Sequence, residues 1–114
     1  MSDCLFCKIV AGDIPCDLLH ADEHVIAFRD INPQAPHHVL VIPRRHIASL
    51  AEVGDDDTEL MGRLKVAAVA VAEKLGLAES GYRLVVNCGP DALQTVMHLH
   101  VHLLGGRTMS WPPG

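Results

Sequence analysis

The sequence predicts an α+β domain: an antiparallel sheet of about five strands with one long and one short helix. Short, partly alternating apolar runs at residues 24–31, 37–44, 82–88 and 97–104 are typical of strands. One long helical pattern separates the second run from the third. With 114 residues, of which 49% are hydrophobic, the chain is long enough for a single domain, residues 1–114, with its own core.

The first elements are a short helix and a hairpin. Residues 8–15, "KIVAGDIP", predict a short amphipathic helix or turn that ends before Pro15, because the residue before a proline is pushed out of helical geometry. The connection "NPQAP" at 32–36 contains two prolines and separates the first two strand runs. These two strands therefore form an antiparallel hairpin.

The long helix is predicted between the acidic run 55–57, followed by Thr58, and Gly76. Acidic residues and a hydroxyl favour a helix N-terminus, and glycine favours the end. One face carries Leu60, Leu64, Ala67, Val71 and Leu75, and much of the remainder is also apolar, with Met61, Val66, Val69 and Ala70. A helix with two apolar faces predicts packing against its own sheet and against a second copy in a homodimer.

Charge and composition exclude several classes of partner. The formal net charge of −5 does not provide the broad basic surface that nucleic-acid binding requires. No apolar stretch reaches the roughly 20 residues of a membrane span, and "MSDCLFCKIV" lacks the order of a signal peptide. We therefore expect a cytoplasmic protein with no nucleic-acid or membrane partner, whose four cysteines stay reduced.

Three histidines, His98, His100 and His102, occupy alternate positions of the last strand run. A strand places them on one face, with neighbours about 6.6 Å apart. They are either ordinary histidines, each of which must find a partner when desolvated, or metal ligands, or catalysts at phosphorus. In the last case one neutral imidazole attacks, while a protonated neighbour neutralises charge or protonates the leaving group. The pattern favours this third interpretation.

The run from His98 to Leu104 resembles the signature of the histidine triad (HIT) family of nucleotide hydrolases and transferases. The stretches "FRDINPQAPHHVLVIPRRHI", "YRLVVNCG", "QTVMHLHVHLLGGR" and "SWPPG" are similar to its Hint branch, and the similarity covers nearly the whole chain. The resemblance implies a homodimer with one sheet continued across both copies. It also implies purine nucleoside phosphoramidates, including aminoacyl adenylates, as substrates, and no cofactor for catalysis.

The resemblance assigns the catalytic roles. It implies that His100 is the nucleophile, that His102 contacts the phosphate and helps the amine depart, and that His98 orients the row. Thr95 stands where the family usually has a serine, and its hydroxyl can donate to a phosphate oxygen or to the bridging atom. An ordinary turn threonine is the alternative for Thr95.

The resemblance also implies a nucleotide-binding set. Asp30 matches the residue that binds the ribose hydroxyls, since a carboxylate accepts from both O–H groups. The purine slot corresponds to Phe6, Ile9, Ile14, Phe28 and Ile31. Without the resemblance, Asp30 is a solvated charge at a strand end and the apolar residues are ordinary core.

Further nucleotide contacts come from two loops. Asn87 and Gln94 are neutral donors near the phosphates by resemblance, or else ordinary turn residues. Trp111 in the tail is expected to shape the amine side of the partner copy's pocket. The chain departs from the family at Ala92-Leu93, where paired glycines are common, so the substrate preference stays open.

Cys4 and Cys7 form a Cys-x-x-Cys pair. With His46 and His98 they make a Cys2His2 set, which some family members use for structural zinc. Two reduced thiols and a redox pair are the alternatives.

The sequence as a whole favours a phosphoramidate hydrolase, since "LLGGR" and "SWPPG" look like the Hint branch. A dinucleoside polyphosphate hydrolase and a nucleotide-binding regulatory module with incidental catalysis are the alternatives.

Overall fold

A computed structural model describes residues 4–114. Its sheet has five strands in the order β1-β2-β3-β5-β4, and every neighbouring pair is antiparallel. The strands are β1 (Leu18–Ala21), β2 (Val25–Arg29), β3 (His37–Pro43), β4 (Tyr82–Val85) and β5 (Val101–Gly105). The predicted α+β class and the five-stranded antiparallel sheet are confirmed.

Two α-helices accompany the sheet, α1 (Leu5–Val10) and α2 (Thr58–Lys74), together with three short 3-10 turns. The predicted short helix or turn at residues 8–15 does end before Pro15, as helix to Val10 and turns after it, but the helix begins at Leu5 and not at residue 8. The helix begins earlier because the Cys4 Sγ accepts the backbone N–H of Cys7 and caps its first turn. It ends by Val10, ahead of Gly12, whose φ of +82° turns the chain.

The strand β5 begins later than the apolar run at residues 97–104 predicts. Its pairing with β3 runs from Gly105 to Val101, which lies opposite Val41. Two residues further along β3 comes Pro43, which has no N–H to donate and whose carbonyl oxygen lies 2.9 Å from Nε2 of His98. The ladder therefore stops, and His98 and His100 lie just before the strand.

The long helix α2 packs on one face of the sheet. Leu64, Ala67 and Val71 are buried there, as predicted, while Leu60 and Leu75 are partly buried against the same core. The sheet contributes alternate residues to this core, such as Val39 and Val41 of β3, Leu99 and Leu103. On the other side of α2, Val66 is 70% exposed and Val69 is 43% exposed.

The opposite face of the sheet carries a smaller apolar cluster beneath α1. It consists of Phe6, Ile26, Phe28, Leu40 and Ile42. Because β2 and β3 alternate, this face receives the residues that α2 does not cover. In residues 4–114, every helix is too short or too polar to pass through a lipid bilayer.

Candidate active site

A cleft of about 480 Å³ opens on the face of the sheet beneath α1. It is lined by the predicted purine-slot residues Phe6, Ile9, Ile14, Phe28 and Ile31. Its polar lining includes Asp30, His38, Thr95, His100 and His102. Ile31 is 99% exposed and so stands at the rim. One cleft thus combines an apolar wall with imidazole, hydroxyl and carboxylate groups.

The three histidines of the row point away from the α2 core, while the alternating residues Leu99 and Val101, and Leu103 after them, are buried in it. His98 is fully buried, and His100 is buried next to Phe6, with 5.2 Å between ring centroids in an edge-to-face arrangement. The rings of His100 and His102 lie 4.9 Å apart between centroids. The imidazoles of His100 and His102 are therefore close enough to act on one substrate group.

The hydrogen bonds of His100 fix where its proton lies. Its Nδ1 is 2.8 Å from the carbonyl oxygen of His98, so Nδ1 carries the proton and donates it. In the neutral ring, Nε2 then holds the lone pair. This is the form that a nucleophilic imidazole requires.

A fourth histidine, His38 of β3, determines the tautomer of His102. The backbone N–H of Gln34 donates to Nδ1 of His38 at 3.0 Å, which leaves the proton of neutral His38 on Nε2. That Nε2 lies 2.9 Å from Nδ1 of His102. His102 therefore accepts at Nδ1 and carries its own proton on Nε2. Sequence reasoning missed His38, and only the register of β3 against β5, which puts Leu40 opposite His102, could have found it.

The surroundings of His38 and His102 favour the neutral state of both rings. Burial, together with the nearby His100 and His38, lowers the pKa of His102 to about 4, against the opposing effect of the Asp30 carboxylate. Burial also lowers the pKa of His38, against the opposing effect of the Asp30 carboxylate. Asp30, His38 and His102 lie close enough together to suggest metal ligands. However, the proton that the Gln34 contact places on Nε2 of His38 occupies the ligand position, so this trio is a hydrogen-bonded chain.

The structure brings Cys4, Cys7, His46 and His98 together, with their ligand atoms all within 4.8 Å of one another. Nδ1 of His98 is 3.3 Å from the Cys4 Sγ and 3.3 Å from Nδ1 of His46, which is 3.2 Å from the Cys7 Sγ. A tetrahedral zinc ion with two sulfur and two nitrogen ligands sets its ligand atoms about 3.3 to 3.8 Å apart. The four atoms therefore fit such an ion.

The position of the proton on the His98 ring also permits metal binding. Nε2 of His98 donates to the carbonyl of Pro43, so Nδ1, which faces the two sulfurs, has the lone pair. The backbone N–H of Leu99 donates to the carbonyl of Ile47 at 2.7 Å, which holds the segment containing His46 beside His98. The surrounding fold thus orients the ligands.

Asp30 and Thr95 lie at the cleft as expected by resemblance. One carboxylate oxygen of Asp30 accepts the Asn32 N–H at 2.9 Å, and the other is 3.5 Å from Nε2 of His38. The hydroxyl-bearing Thr95 is exposed in the cleft lining. Both side chains are available to a ligand.

Three other expected contacts lie outside the cleft lining: Asn87, Gln94 and Trp111. The Gln94 amide accepts from the Gly89 N–H at 3.1 Å and donates to the carbonyls of Ala48 and Val96 at 2.9 and 3.0 Å. It therefore braces its own loop. Trp111 is 80% exposed and lies 5.9 Å from the Arg83 guanidinium of β4.

The loop that Gln94 braces contains Leu93 in a left-handed conformation, with φ of 64° and ψ of 36°. This conformation costs a residue with a side chain about 1 kcal/mol. Leu93 is 78% exposed, so burial does little to offset the cost. We expect Leu93→Gly to raise the melting temperature by about 4 °C, and Leu93→Ala to give no such gain. Thermal denaturation of both variants tests this, and a lower melting temperature for Leu93→Gly would contradict it.

Comparison with known proteins matches the HIT domain family model to residues 11–109. A "14 kDa zinc-binding protein" of Zea mays is 50% identical over 99% of this chain and 89% of its own length. "Adenylylsulfatase HINT1" of Arabidopsis thaliana is 46% identical over 99% of this chain and 78% of its own. The crystal structure of a HIT family hydrolase from Legionella pneumophila has a TM-score of 0.96 at 52% identity, covering 98% of this chain and 100% of that one.

Proposed function

Because this chain belongs to the HIT family, we propose that it is a nucleotide hydrolase that cleaves purine nucleoside phosphoramidates, including aminoacyl adenylates. The reaction passes through a nucleotidyl-His100 intermediate and releases a nucleoside monophosphate. The observation that carries this proposal is the tautomer pattern in the cleft. His100 presents a lone pair on Nε2, and His102 beside it presents a proton on Nε2.

In the first step, Nε2 of His100 attacks the phosphorus, a P–N bond to the histidine forms, and the bond to the leaving amine breaks. The amine needs a proton to leave, and Nε2 of His102 supplies it. Burial keeps the pKa of His102 near 4 in the protein alone, but a bound phosphate anion favours the charged imidazolium. In neutral His102 the contact from His38 to Nδ1 keeps the Nε2 proton facing the cleft, and the proton added at Nδ1 when the ring becomes charged would displace that contact.

In the second step, a water molecule attacks the phosphorus of nucleotidyl-His100 and the bond to the histidine breaks. His102 takes the proton from this water, so both histidines return to their starting state. Because the water enters on the side from which the amine left, His102 can act as acid in the first step and as base in the second.

The apolar wall of the cleft and Asp30 supply nucleotide binding in this proposal. The base lies against Phe6, Ile9 and Phe28, and the ribose hydroxyls donate to the Asp30 carboxylate. Thr95 donates its hydroxyl to a phosphate oxygen. These contacts bind the part of the substrate that does not change during the reaction.

The first experiment compares leaving groups on one adenylyl unit. We expect adenosine 5′-phosphoramidate to be hydrolysed with a kcat/KM at least about tenfold above that of a diadenosine polyphosphate, by measurement of AMP release. The name of the Arabidopsis relative makes adenylyl sulfate the second candidate substrate, since it presents the same phosphorus with sulfate leaving. Preference for the diadenosine compound would contradict the proposal, and no turnover of any of the three would favour a binding module.

We also propose that two copies form a homodimer along α2 and β4. Val66 and Val69 leave one face of α2 apolar and exposed, and β4 stands at the sheet edge. Trp111 lies beside β4, so this arrangement would bring each tail to the partner's cleft, where it shapes the amine side.

Light scattering tests the homodimer. We expect a mass of twice the 12.3 kDa of one chain, and a shift toward the monomer in Val66→Lys. Leu18→Lys, at an exposed residue of the opposite edge strand, is the matched control and should stay dimeric. A monomeric parent protein would contradict the arrangement.

We propose that Cys4, Cys7, His46 and His98 hold a structural zinc ion, for which the zinc-binding relative gives independent support. Bound there, zinc would cross-link the start of the chain to the sheet and supply no catalytic chemistry. We expect one zinc per chain in protein purified without chelator, and a melting temperature about 10 °C lower once it is removed. Cys7→Ser should lose the metal and Cys88→Ser should keep it. A metal-free parent protein, or an unchanged melting temperature, would contradict a structural role.

A further inference from the structure

The helix α1 forms one wall of the cleft through Leu5, Phe6 and Ile9. It contains only six residues, and a helix of that length is not stable by itself in water. Its position therefore depends on the contacts that attach it to the sheet.

Apolar packing is the first kind of contact that attaches α1 to the sheet. Phe6 is buried against Phe28, with 5.6 Å between ring centroids, and Ile9 and Val10 pack partly on the same cluster. Backbone hydrogen bonds such as the one from the Asp13 N–H to the carbonyl of Lys8, at 2.9 Å, stay within the segment.

The polar attachment of α1 coincides with the proposed metal ligands. Three hydrogen-bond contacts join the sulfurs of Cys4 and Cys7 in this segment to His46 or His98. A metal ion held by these four side chains would thus join both ends of the first helical turn to the sheet, with Phe6 between the two cysteines.

We infer that metal occupancy of this set fixes α1 as a wall of the base slot, and so controls affinity for the nucleobase and not for the phosphate. The inference rests on the proposed nucleotide function and assigns Cys4, Cys7 and His46 as positioning residues. They do not touch the substrate. They act through Phe6 and its neighbours on α1.

His100 packs against Phe6 of α1, but the other groups at the phosphate end of the cleft are held without α1. His102 lies in β5, paired with Leu40 of β3, and His38 fixes its ring. Thr95 follows the loop braced by Gln94. Loss of the metal should therefore leave these groups in place while the base wall moves.

The test measures binding of two ligands to zinc-loaded protein and to the same protein after chelation. AMP carries base and phosphate, whereas ribose 5-phosphate lacks the base, and NMR titration reaches the weak affinity of the latter. If α1 keeps its binding position about one tenth of the time without metal, the Kd of AMP rises about tenfold. The Kd of ribose 5-phosphate should change less than about twofold, and re-addition of Zn²⁺ should restore AMP binding.

Amide hydrogen exchange supplies a readout that does not depend on a ligand. We expect faster exchange within residues 5–10 after chelation, with little change in β3 and β5. Cys4→Ser should reproduce the chelated state in the presence of zinc, and Cys88→Ser, at an exposed cysteine outside the cleft lining, should behave as the parent protein.

Each outcome decides between alternatives. An equal rise in the Kd of both ligands after chelation would show that the metal supports the whole fold. An unchanged Kd of AMP would show that α1 is held by packing alone. Either result overturns the inference. If zinc-loaded protein bound ribose 5-phosphate as tightly as AMP, the base slot itself, and with it the proposed nucleotide function, would be wrong.

Discussion

Replacing His100 with alanine is expected to lower kcat for adenosine 5′-phosphoramidate by about four powers of ten or more, with AMP affinity largely retained. The physical reason is that His100 presents an imidazole lone pair on Nε2 into the cleft, since its Nδ1 proton is donated to the His98 carbonyl. Without it, no covalent intermediate forms, and water must attack the phosphorus directly. Single-turnover assays and AMP titration measure the two effects separately.

His24→Ala is the matched control for this substitution. His24 is a half-exposed histidine beside the β1–β2 turn, paired with Glu23 at 3.3 Å and outside the cleft lining. It should leave turnover unchanged. Turnover of His100→Ala within tenfold of the parent protein would show that His100 is not the nucleophile.

Replacing His102 with asparagine is expected to reduce phosphoramidate hydrolysis by about 10² to 10⁴, the range for loss of one proton donor. The size of the loss should depend on the leaving group. An amine requires a proton to depart, whereas sulfate is a stable anion that leaves without one. On adenylyl sulfate the same variant should therefore lose much less activity.

Comparison of kcat/KM for the two substrates in the parent protein and in His102→Asn isolates the proton-transfer role. A role confined to phosphate binding would slow both substrates by the same factor, which would contradict the assignment of His102 as acid. His38→Gln offers a second measurement, because it removes the ring that orients His102 but leaves the imidazoles of His100 and His102 in place.

Much of the fold could be predicted because its signals are local. The hairpin strands are apolar runs bounded by prolines, and α2 has a helical spacing whose central residues Leu64, Ala67 and Val71 are buried. The strand β1 was missed because "LLHA" is short and half exposed at the sheet edge. The helix α1 was misplaced because a cysteine sulfur caps it, where sequence rules look for Ser, Thr, Asp or Asn.

The candidate site, like the fold, has parts that could be predicted from the sequence and parts that could not. The histidine row follows from alternation, and the purine-slot residues came from the family resemblance. His38 depends on the register between β3 and β5, which no local pattern encodes. Gln94 was expected at the phosphates, but its amide is occupied by three backbone groups that only the folded loop brings within reach.

The contacts of His98 limit which substitutions of the neighbouring cysteines can be accepted during evolution. Its Nε2 is committed to Pro43, its carbonyl to His100, and its Nδ1 to the cysteine sulfurs. Loss of both cysteines would take both sulfur partners from this buried nitrogen, and a buried polar atom left unsatisfied costs about 1–3 kcal/mol. A lineage leaving the metal-binding state must therefore supply a new donor to that nitrogen before or together with the loss of the thiols. We expect descendants of such a chain to carry either the whole four-residue set or a replacement hydroxyl near position 4, and seldom a mixture.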